Sequence, residues 1–475
     1  MNDNVQLVCG LMSGTSCDAV DAALVWTDGY DHIQFGPTAE VDVPVMLRNK
    51  IRTLQTWADA SFRSSNARQR TAVFQSSICH TQREVKEEFL HPLAIEIEEE
   101  LTSLHVQAVQ AALSKLSADD LIRTPLSLIG YHGNTICHFP PSRHVSNLPK
   151  QFSPFTWQLG DGQSLSDALQ VPVVFRFRDN DIIKGNGEGA PLAPAYHRAL
   201  CTSKWSKSSS ISGSTFTEIA VLNIGGVSNL TMCRIDSEAV AEDVKDTDSS
   251  GSNNSNEHIL AFDVGPGNAL LDDFMMKRTG KPMDPSGAMA KKGTPDIHFI
   301  QSVMNDDEYK LSQFLTSKAP KSCDRDQFAA IHQKKSSTNI QTTAIEEMTL
   351  ENGAATLTLL TAKCIGDALS RVPSWTASWS TPMSSAPNIL VVTGGGRKND
   401  TLMELIAVEV GSEVQVMTAD EAGWRGDSVE AEAFAYLAVR SILNLSLSWP
   451  STTGTTKPIT GGILVSPSKV DSNKE

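Results

Sequence analysis

The sequence contains no long apolar run, and no stretch approaches the roughly 20 residues that a membrane-spanning helix needs. It also has no block of lysine or arginine. Its 40 basic residues are outnumbered by 55 acidic ones, which gives a formal charge of −15 at pH 7. Such a chain is poorly suited to nucleic acid as a partner. Residues 1–4 lack the basic-then-apolar pattern of a signal peptide. We therefore expect a cytoplasmic protein that binds neither membranes nor nucleic acid.

Paired cysteines are lacking as well. The 8 cysteines are scattered and none forms a Cys-x-x-Cys pair. Several of them lie within apolar runs, which is typical of buried free thiols in a reducing compartment. What the chain does have is length. Its 475 residues, 40% of them hydrophobic, can bury a large core and predict two domains.

Serine-rich stretches of low hydrophobicity interrupt the chain at residues 201–216, 237–256 and 373–387. They cannot bury enough apolar surface to order themselves, so we predict that they are flexible surface insertions. The segments between them alternate strand-like and helix-like patterns. Residues 126–133 and 171–177 are predicted strands, and residues 430–442 are a predicted helix. The fold is therefore predicted to be mixed α/β.

Two segments of the chain share one pattern, an apolar strand, a tip of small residues and a second apolar strand. They are Val5–Trp26 and Ala220–Ile235, with Gly14 at the first tip and Gly226 at the second. Glycine lets a ligand approach the backbone because it has no Cβ, and free N–H and O–H donors suit a polyphosphate. Two such hairpins, one in each half of the chain, predict that their tips bind the phosphates of a nucleotide.

A series of motifs then follows in one order along nearly the whole chain. They are GLMSGTSCDAVDAAL (10–24), GYHGNTICHFP (130–140), QLGDG (158–162), FRFRDNDIIKGNGEGAPLAPAYHRAL (175–200), VLNIGGVSNLT (221–231), FDVGPGNALLDDF (262–274), VTGGGRKNDTL (392–402) and DEAGWRGDSVEAEAFAYLA (420–438). In these motifs the chain resembles the anhydro-N-acetylmuramic acid kinase family, which is related to levoglucosan kinase within the actin and hexokinase superfamily.

The resemblance implies a two-domain actin-like ATPase fold, of the sugar kinase and hexokinase type, with a central nucleotide cleft. The first domain would span residues 1–200, with the C-terminal segment 441–468 packing back onto it. The second domain would span residues 217–440. A dimer is common in that family, so the resemblance also leaves a homodimer open.

The resemblance further implies ATP and Mg²⁺ as cofactors. The residues that would bind ATP are Gly14, Thr15, Ser16, Asp18, Asp21, Gly225, Gly226, Gly265, Gly267, Asn268, Gly394, Gly395 and Gly396. Carboxylates suit Mg²⁺, which keeps much of its water shell. Asp18 and Asp263 are the expected metal ligands, whereas Asp21 has the alternative of pairing with a neighbouring residue.

The implied chemistry starts from a sugar whose C1 and O6 are bridged. Water attacks C1, the bridge opens, and O6 accepts the γ-phosphoryl group of ATP. A carboxylate has to take the proton of that water. Asp181 matches the last position of the family's Asp-Phe-Arg-x-x-Asp motif and is the expected base. Asp179 is the alternative from composition, and Arg178 is a catalytic candidate that would orient a carboxylate or a phosphate.

The expected sugar-binding residues are His132, Asn134, Thr135 and Glu430. Glu430 has a second interpretation, as a helix N-terminal charge favoured by the helix dipole.

The chain departs from the family motifs mainly on the sugar side. Arg176 stands in place of an aspartate, Asn134 and Glu188 in place of glutamines, and Ala19 in place of a glycine. One residue is inserted between Asp181 and Glu188. The expected substrate is 1,6-anhydro-N-acetylmuramic acid, with levoglucosan or another anhydro sugar as the alternative. A catalytically inactive sensor that binds nucleotide or sugar is the alternative from another functional class.

Overall fold

The computed structural model describes residues 4–14, 17–64, 69, 72–73, 91–143, 153–206, 216–236, 259–305, 310–323, 325, 327–332, 344–377, 383 and 386–468. They form two compact units. The first consists of Met1–Ser203 with Glu430–Glu475, and the second of Lys204–Val429. Among the described residues, no helix is both long enough and apolar enough to cross a membrane.

The strands are β1 (Gln6–Ser13), β2 (Ala19–Thr27), β3 (Ile33–Asp42), β4 (Leu126–Tyr131), β5 (Asn134–Phe139), β6 (Phe155–Leu159), β7 (Val173–Phe175), β8 (Phe216–Ile224), β9 (Val227–Asp236), β10 (Ile259–Pro266), β11 (Ile389–Thr393), β12 (Gln415–Thr418) and β13 (Ile463–Val465). The helices are α1 (Val45–Arg63), α2 (Pro92–Leu113), α3 (Ala118–Arg123), α4 (Gly162–Leu169), α5 (Asp179–Ile183), α6 (Pro194–Trp205), α7 (Ala269–Thr279), α8 (Ile297–Asn305), α9 (Leu311–Thr316), α10 (Leu350–Trp375), α11 (Asp400–Val410), α12 (Val429–Ile442) and α13 (Pro450–Thr453).

The first unit is built on a sheet with the strand order β13-β7-β4-β1-β2-β3. β1 and β2 form the predicted first hairpin, and β4 runs parallel to β1. Helix α2 packs against β2 and β3. Leu7, Val8, Cys9 and Leu11 are all fully buried. This unbroken apolar run in β1 is what a strand needs when both faces of its sheet are covered.

Helix α12 lies against the first sheet at two glycines. A Cβ on Gly10 would lie 1.8 Å from the Ala431 carbonyl oxygen, and a Cβ on Gly130 would lie 2.0 Å from that of Phe434. The absence of side chains on β1 and β4 therefore lets the helix approach. The sequence predicts that residues 430–440 belong to the second domain. The contacts place them in the first unit instead.

The second unit is built on a sheet with the strand order β10-β9-β8-β11-β12. The predicted second hairpin is β8 and β9, paired from Phe216 opposite Asp236 to Ile224 opposite Ser228. β11 is parallel to both β8 and β12. The long helix α10 lies over this sheet and contributes many buried apolar side chains to the core.

Several local expectations need correction. The predicted strand 171–177 is shorter, because Arg176 has a φ of +58° and ends the extended conformation. The predicted insertion 201–216 begins inside α6, where Trp205 is buried and packs edge-on against Trp424. The insertion 373–387 likewise begins inside α10. Residues 237–256 lie outside the described part of the chain.

The seven described cysteines are buried and none of them forms a disulfide, as expected. Cys79 lies outside the described residues.

Candidate functional site

Two glycine-containing turns meet in the second unit. The first is the tip of the β8–β9 hairpin, Gly225–Gly226, and the second is Gly267–Asn268, between β10 and α7. The Gly267 amide donates to the Gly226 carbonyl at 3.0 Å, and the Asn268 amide donates to the Gly225 carbonyl at 2.8 Å. A Cβ on Gly267 would lie 2.4 Å from the Gly225 carbonyl oxygen. Glycine at 267 is therefore what lets the two turns pack together.

The glycine triplet after β11 joins the same place. Gly394 has a φ of +75°, and a Cβ there would lie 2.3 Å from Oδ1 of Asn223. A Cβ on Gly396 would lie 2.4 Å from Cγ2 of Ile224. Packing therefore requires glycine at both positions, and it holds the triplet against the end of β8.

Two glycines of this cluster leave their backbone open. The nearest neighbour of a Cβ on Gly395 would be Nδ2 of Asn268 at 3.9 Å, and that of a Cβ on Gly225 would be the Val227 carbonyl oxygen at 3.7 Å. Neither glycine is required by packing. Both expose backbone at the carboxyl end of parallel strands, which is where α/β sheets bind nucleotides.

Arg397 fixes the glycine triplet and was not anticipated from the sequence. Its guanidinium donates to the Gly394 carbonyl at 3.0 Å, to Asp420 at 2.6 Å and to Asp427 at 2.9 Å. These bonds raise the pKa of Arg397 and lower the pKa of Asp427 to about 2. Two sequence features could have indicated this role of Arg397. It directly follows the triplet, and the later DEAGWRGD motif contains two aspartates that could pair with it.

Asp263 and Gly265, predicted for metal and ATP, lie in β10. Oδ2 of Asp263 accepts the Cys323 amide at 2.8 Å, and its own amide donates to the Lys321 carbonyl at 2.9 Å. The residue thus ties the 321–323 segment to the edge strand. Among the residues that the structure describes, no three histidine, cysteine, aspartate or glutamate side chains come together to hold a metal.

The first hairpin is described on both sides of its tip, whereas Thr15 and Ser16 lie outside the described residues. The Cys17 amide donates to the Gly14 carbonyl at 3.0 Å, which closes the turn. The exposed Asp18 carboxylate forms an ion pair with Arg48 at 2.7 Å. Asp21 is not at the tip. It lies within β2, opposite Met12 in β1 and Glu40 in β3.

The predicted sugar-binding residues contact this first hairpin. Asn134 is buried, and its Nδ2 lies 3.4 Å from the Gly14 carbonyl oxygen and 3.4 Å from Sγ of Cys17. Its Oδ1 has no hydrogen-bond partner among the described residues, although it is buried. The hydroxyl of Thr135 accepts from Gln158 at 3.4 Å. The start of β5 therefore connects the predicted sugar site to the predicted phosphate loop.

His132 is held in one tautomer. Its Nδ1 lies 2.8 Å from the Gly133 carbonyl oxygen, and its Nε2 accepts from Nε of Arg178 at 3.1 Å. A carbonyl only accepts and a guanidinium only donates, so the proton is on Nδ1. Burial and the positive charge of Arg178 hold the pKa of His132 well below its usual range. The imidazole is therefore neutral and orients Arg178.

Glu430 lies at the exposed start of α12. Phe434, one turn later on the same face, contacts the His132 ring with the two ring centroids 4.6 Å apart. Glu430 therefore precedes this contact by one helical turn along α12, and its grouping with His132 in one site stays a prediction.

Asp181 is more enclosed than expected. A base that has to reach a substrate is expected to be accessible, but Asp181 is 1% exposed. Its Oδ1 accepts the Gly189 amide at 2.6 Å, and its Oδ2 accepts the hydroxyls of Ser448 at 2.5 Å and Thr453 at 2.6 Å. Burial raises its pKa, while these bonds and the charge of Arg178 partly oppose that rise. The C-terminal segment supplies both hydroxyls, which no local sequence signal indicated.

Arg176 and Asp179 form an ion pair three residues apart. Burial raises the pKa of Asp179 and lowers that of Arg176, against the attraction between them. Arg176, which replaces an aspartate of the family motif, is therefore paired with an aspartate of the same turn. Glu188, the other charged departure, accepts the Ser142 hydroxyl at 2.5 Å and the Ser142 amide at 3.2 Å.

Comparison with known proteins agrees with the motifs. The family model described as anhydro-N-acetylmuramic acid kinase matches residues 75–248 and 252–467. A protein of that name from Azorhizobium caulinodans is 35% identical over 96% of this chain and 98% of its own. One from Nitrobacter winogradskyi is 34% identical over 96% of this chain and 99% of its own. The predicted resemblance is confirmed, and the chain belongs to the anhydro-N-acetylmuramic acid kinase family.

Proposed function

We propose that this protein is an ATP-dependent kinase that opens 1,6-anhydro-N-acetylmuramic acid with water and phosphorylates its O6. The observation that carries the proposal is the meeting of the Gly225, Gly267 and Gly395 turns in a protein of this kinase family. The open backbone at Gly225 and Gly395 leaves room for a nucleotide, while their neighbours are fixed by packing.

ATP would lie against the open backbone of Gly225 and Gly395. Mg²⁺ commonly reaches such sites on one or two carboxylates plus the substrate phosphates. Asp18 is 61% exposed and has spare acceptor positions beside Arg48, so it fits the ion. When bound, Mg²⁺ supplies positive charge to the phosphates.

Asp181 would act as the base on the sugar. A carboxylate offers about four acceptor positions, and Gly189, Ser448 and Thr453 fill three of them. One position on Oδ1 is left for a water. The raised pKa of Asp181 also makes it a stronger base than an exposed aspartate.

In the proposed reaction, a water proton passes to Asp181, the water oxygen bonds to C1, and the C1–O6 bond breaks. O6 then bonds to the γ-phosphorus as ADP leaves. The Arg178 guanidinium, oriented by the neutral His132, would stabilise the negative charge that develops on O6 as the C1–O6 bond breaks.

The test is a product assay on the purified protein with ATP and magnesium. Separate reactions contain 1,6-anhydro-N-acetylmuramic acid and levoglucosan, with ADP release and product mass as readouts. We expect ADP and N-acetylmuramic acid 6-phosphate from the first sugar. If the protein turns over levoglucosan alone, levoglucosan is its substrate instead. If a thermal-shift assay shows ATP binding but neither sugar is consumed, the protein is a catalytically inactive sensor and not a kinase.

A further inference from the structure

One face of helix α1 lies along the first hairpin and β5. Arg48, Arg52 and Gln55 are spaced so that they share that face. Arg48 pairs with Asp18 at 2.7 Å, and Nε2 of Gln55 donates to the Thr135 carbonyl at 2.9 Å. Arg52 is between these two anchors in sequence and on the same face. Arg52 is therefore on the side of α1 that carries the contacts to the first hairpin and to β5.

Arg52 differs from the other cations of this helix. Arg48 is bound to Asp18, and Lys50 is bound to Glu96 and Glu100. The side chain of Arg52 is exposed and forms no hydrogen bond or ion pair with another described residue. Burial raises the pKa of Cys17, and the charge of Arg52 is among the contributions that oppose the rise. The charge of Arg52 therefore acts on Cys17, the hairpin residue that also contacts Asn134.

We propose that Arg52 binds the lactyl carboxylate of 1,6-anhydro-N-acetylmuramic acid and thereby selects muramic acid sugars over neutral anhydro sugars. This inference rests on the proposed function. N-acetylmuramic acid differs from N-acetylglucosamine by a lactic acid ether on O3, and the carboxylate of that group carries the formal charge of the sugar. The planar fork of arginine matches a carboxylate with two parallel hydrogen bonds.

A phosphate of ATP is the competing anion, because Arg52 lies beside the phosphate loop. The two ligands give different kinetics. A carboxylate contact changes KM for the charged sugar, and a phosphate contact changes KM for ATP.

The experiment compares wild type, Arg52→Gln and Arg52→Lys. Two sugars are used, 1,6-anhydro-N-acetylmuramic acid and 1,6-anhydro-N-acetylglucosamine, which lacks the lactyl group. If the neutral sugar is not turned over, its inhibition constant replaces its KM. Arg123→Gln is the matched control, because Arg123 is an exposed arginine of the same unit on α3.

We expect Arg52→Gln to lower the preference for the charged sugar about tenfold, the scale of one charge-assisted hydrogen bond. Arg52→Lys should lose less, and Arg123→Gln should keep the wild-type preference. An unchanged sugar preference in Arg52→Gln overturns the inference, whether or not KM for ATP rises. A wild type that phosphorylates neither sugar instead overturns the proposed function, so the two failures are distinguishable.

Discussion

At the scale of single residues, burial decides the chemistry of the ionisable groups in the proposed site. His132 is neutral because it is enclosed beside a cation, and Asp181 is oriented by three donors. Arg176 and Asp179 compensate each other in the same turn. Arg178, bonded to His132, is the cation whose charge helps to oppose the rise in the pKa of Asp181 that burial causes. These local pairings explain how the charged departures from the family motifs are accommodated.

Asp181→Asn should lower turnover by about 10²-fold or more, because a positioned base is lost. ATP affinity should change little. The amide can keep its oxygen towards Gly189 and its nitrogen towards the Ser448 and Thr453 hydroxyls, which are able to accept. The variant should therefore fold, with a loss of about 1–3 kcal/mol in unfolding free energy. Steady-state kinetics and nucleotide titration check this.

Asp179→Asn is the matched variant for that experiment, since Asp179 is the alternative base two residues away. It should keep most of the activity after allowance for the broken pair with Arg176. Full activity in Asp181→Asn, together with loss in Asp179→Asn, would transfer the base role to Asp179.

Asp272 on α7 gives a pH-dependent prediction. Burial raises its pKa from 3.8 to about 7, against the opposing charge of Arg325. The unfolded chain releases this proton near pH 4, whereas the folded chain holds it until about pH 7. Stability contributed by Asp272 therefore falls as pH rises through that window. Asp272→Asn should raise Tm by a few °C at about pH 8 and hardly at all at about pH 4. Calorimetry at both values tests it, and an equal change at both would contradict it.

At the scale of secondary-structure elements, the proposed nucleotide site is a set of turns at strand ends. β8 and β11 are parallel neighbours, so the Gly225 hairpin and the Gly394 triplet come to the same edge of the sheet. The turn before α7 packs on the hairpin, and Arg397 fixes the triplet. Some glycines serve packing and others leave space, which allows the two roles to be separated experimentally.

Gly395→Ala should leave stability nearly unchanged but weaken ATP binding. Its new methyl would meet no protein atom closer than 3.9 Å, yet it would occupy the open backbone. We expect a Tm within about 2 °C of wild type and an increase of about tenfold in Kd for ATP.

Gly396→Ala is the contrasting variant, since its methyl would lie 2.4 Å from Ile224. It should destabilise the protein by about 1–3 kcal/mol. If Gly395→Ala binds ATP like wild type, the open backbone at 395 is not part of the nucleotide site.

At the scale of the whole molecule, the two units are assembled differently from the chain. The second unit is a continuous segment, residues 204–429, whereas the first combines residues 1–203 with residues 430–475. β13 pairs with β7, and α12 packs on Gly10 and Gly130. The first unit therefore depends on the end of the chain for part of its sheet and for the cover of one sheet face.

Expressed alone, residues 204–429 should fold cooperatively, because their sheet and core are internal to the segment. Residues 1–203 alone should not, since β1 and β4 lose the helix that covers them. Circular dichroism and thermal melts of both fragments measure the difference. Cooperative melting of both fragments would show that α12 and β13 are dispensable to the first unit.

Much of the site could be predicted from the sequence because its signals are local. The two hairpins, the glycine triplet and helix 430–442 each depend on residues close together in the chain. The turns of the second unit indeed meet at one edge of the sheet. The position of Asp21 was predicted less well. A motif gives the order of residues, but it does not show that β2 begins before Asp21.

The sequence by itself determined the family, the mixed α/β elements and the positions of the small-residue turns, since apolar periodicity and glycine patterns act over a few residues. The tertiary structure decided which distant residues complete them. Ser448 and Thr453 donate hydrogen bonds to Asp181 from more than 260 positions away in the chain. Arg397 bonds both the Gly394 carbonyl and Asp427. Glu430 belongs to the first unit. Burial, ion pairing and hydrogen bonding depend on distances in space, and no local pattern in the chain specifies those distances.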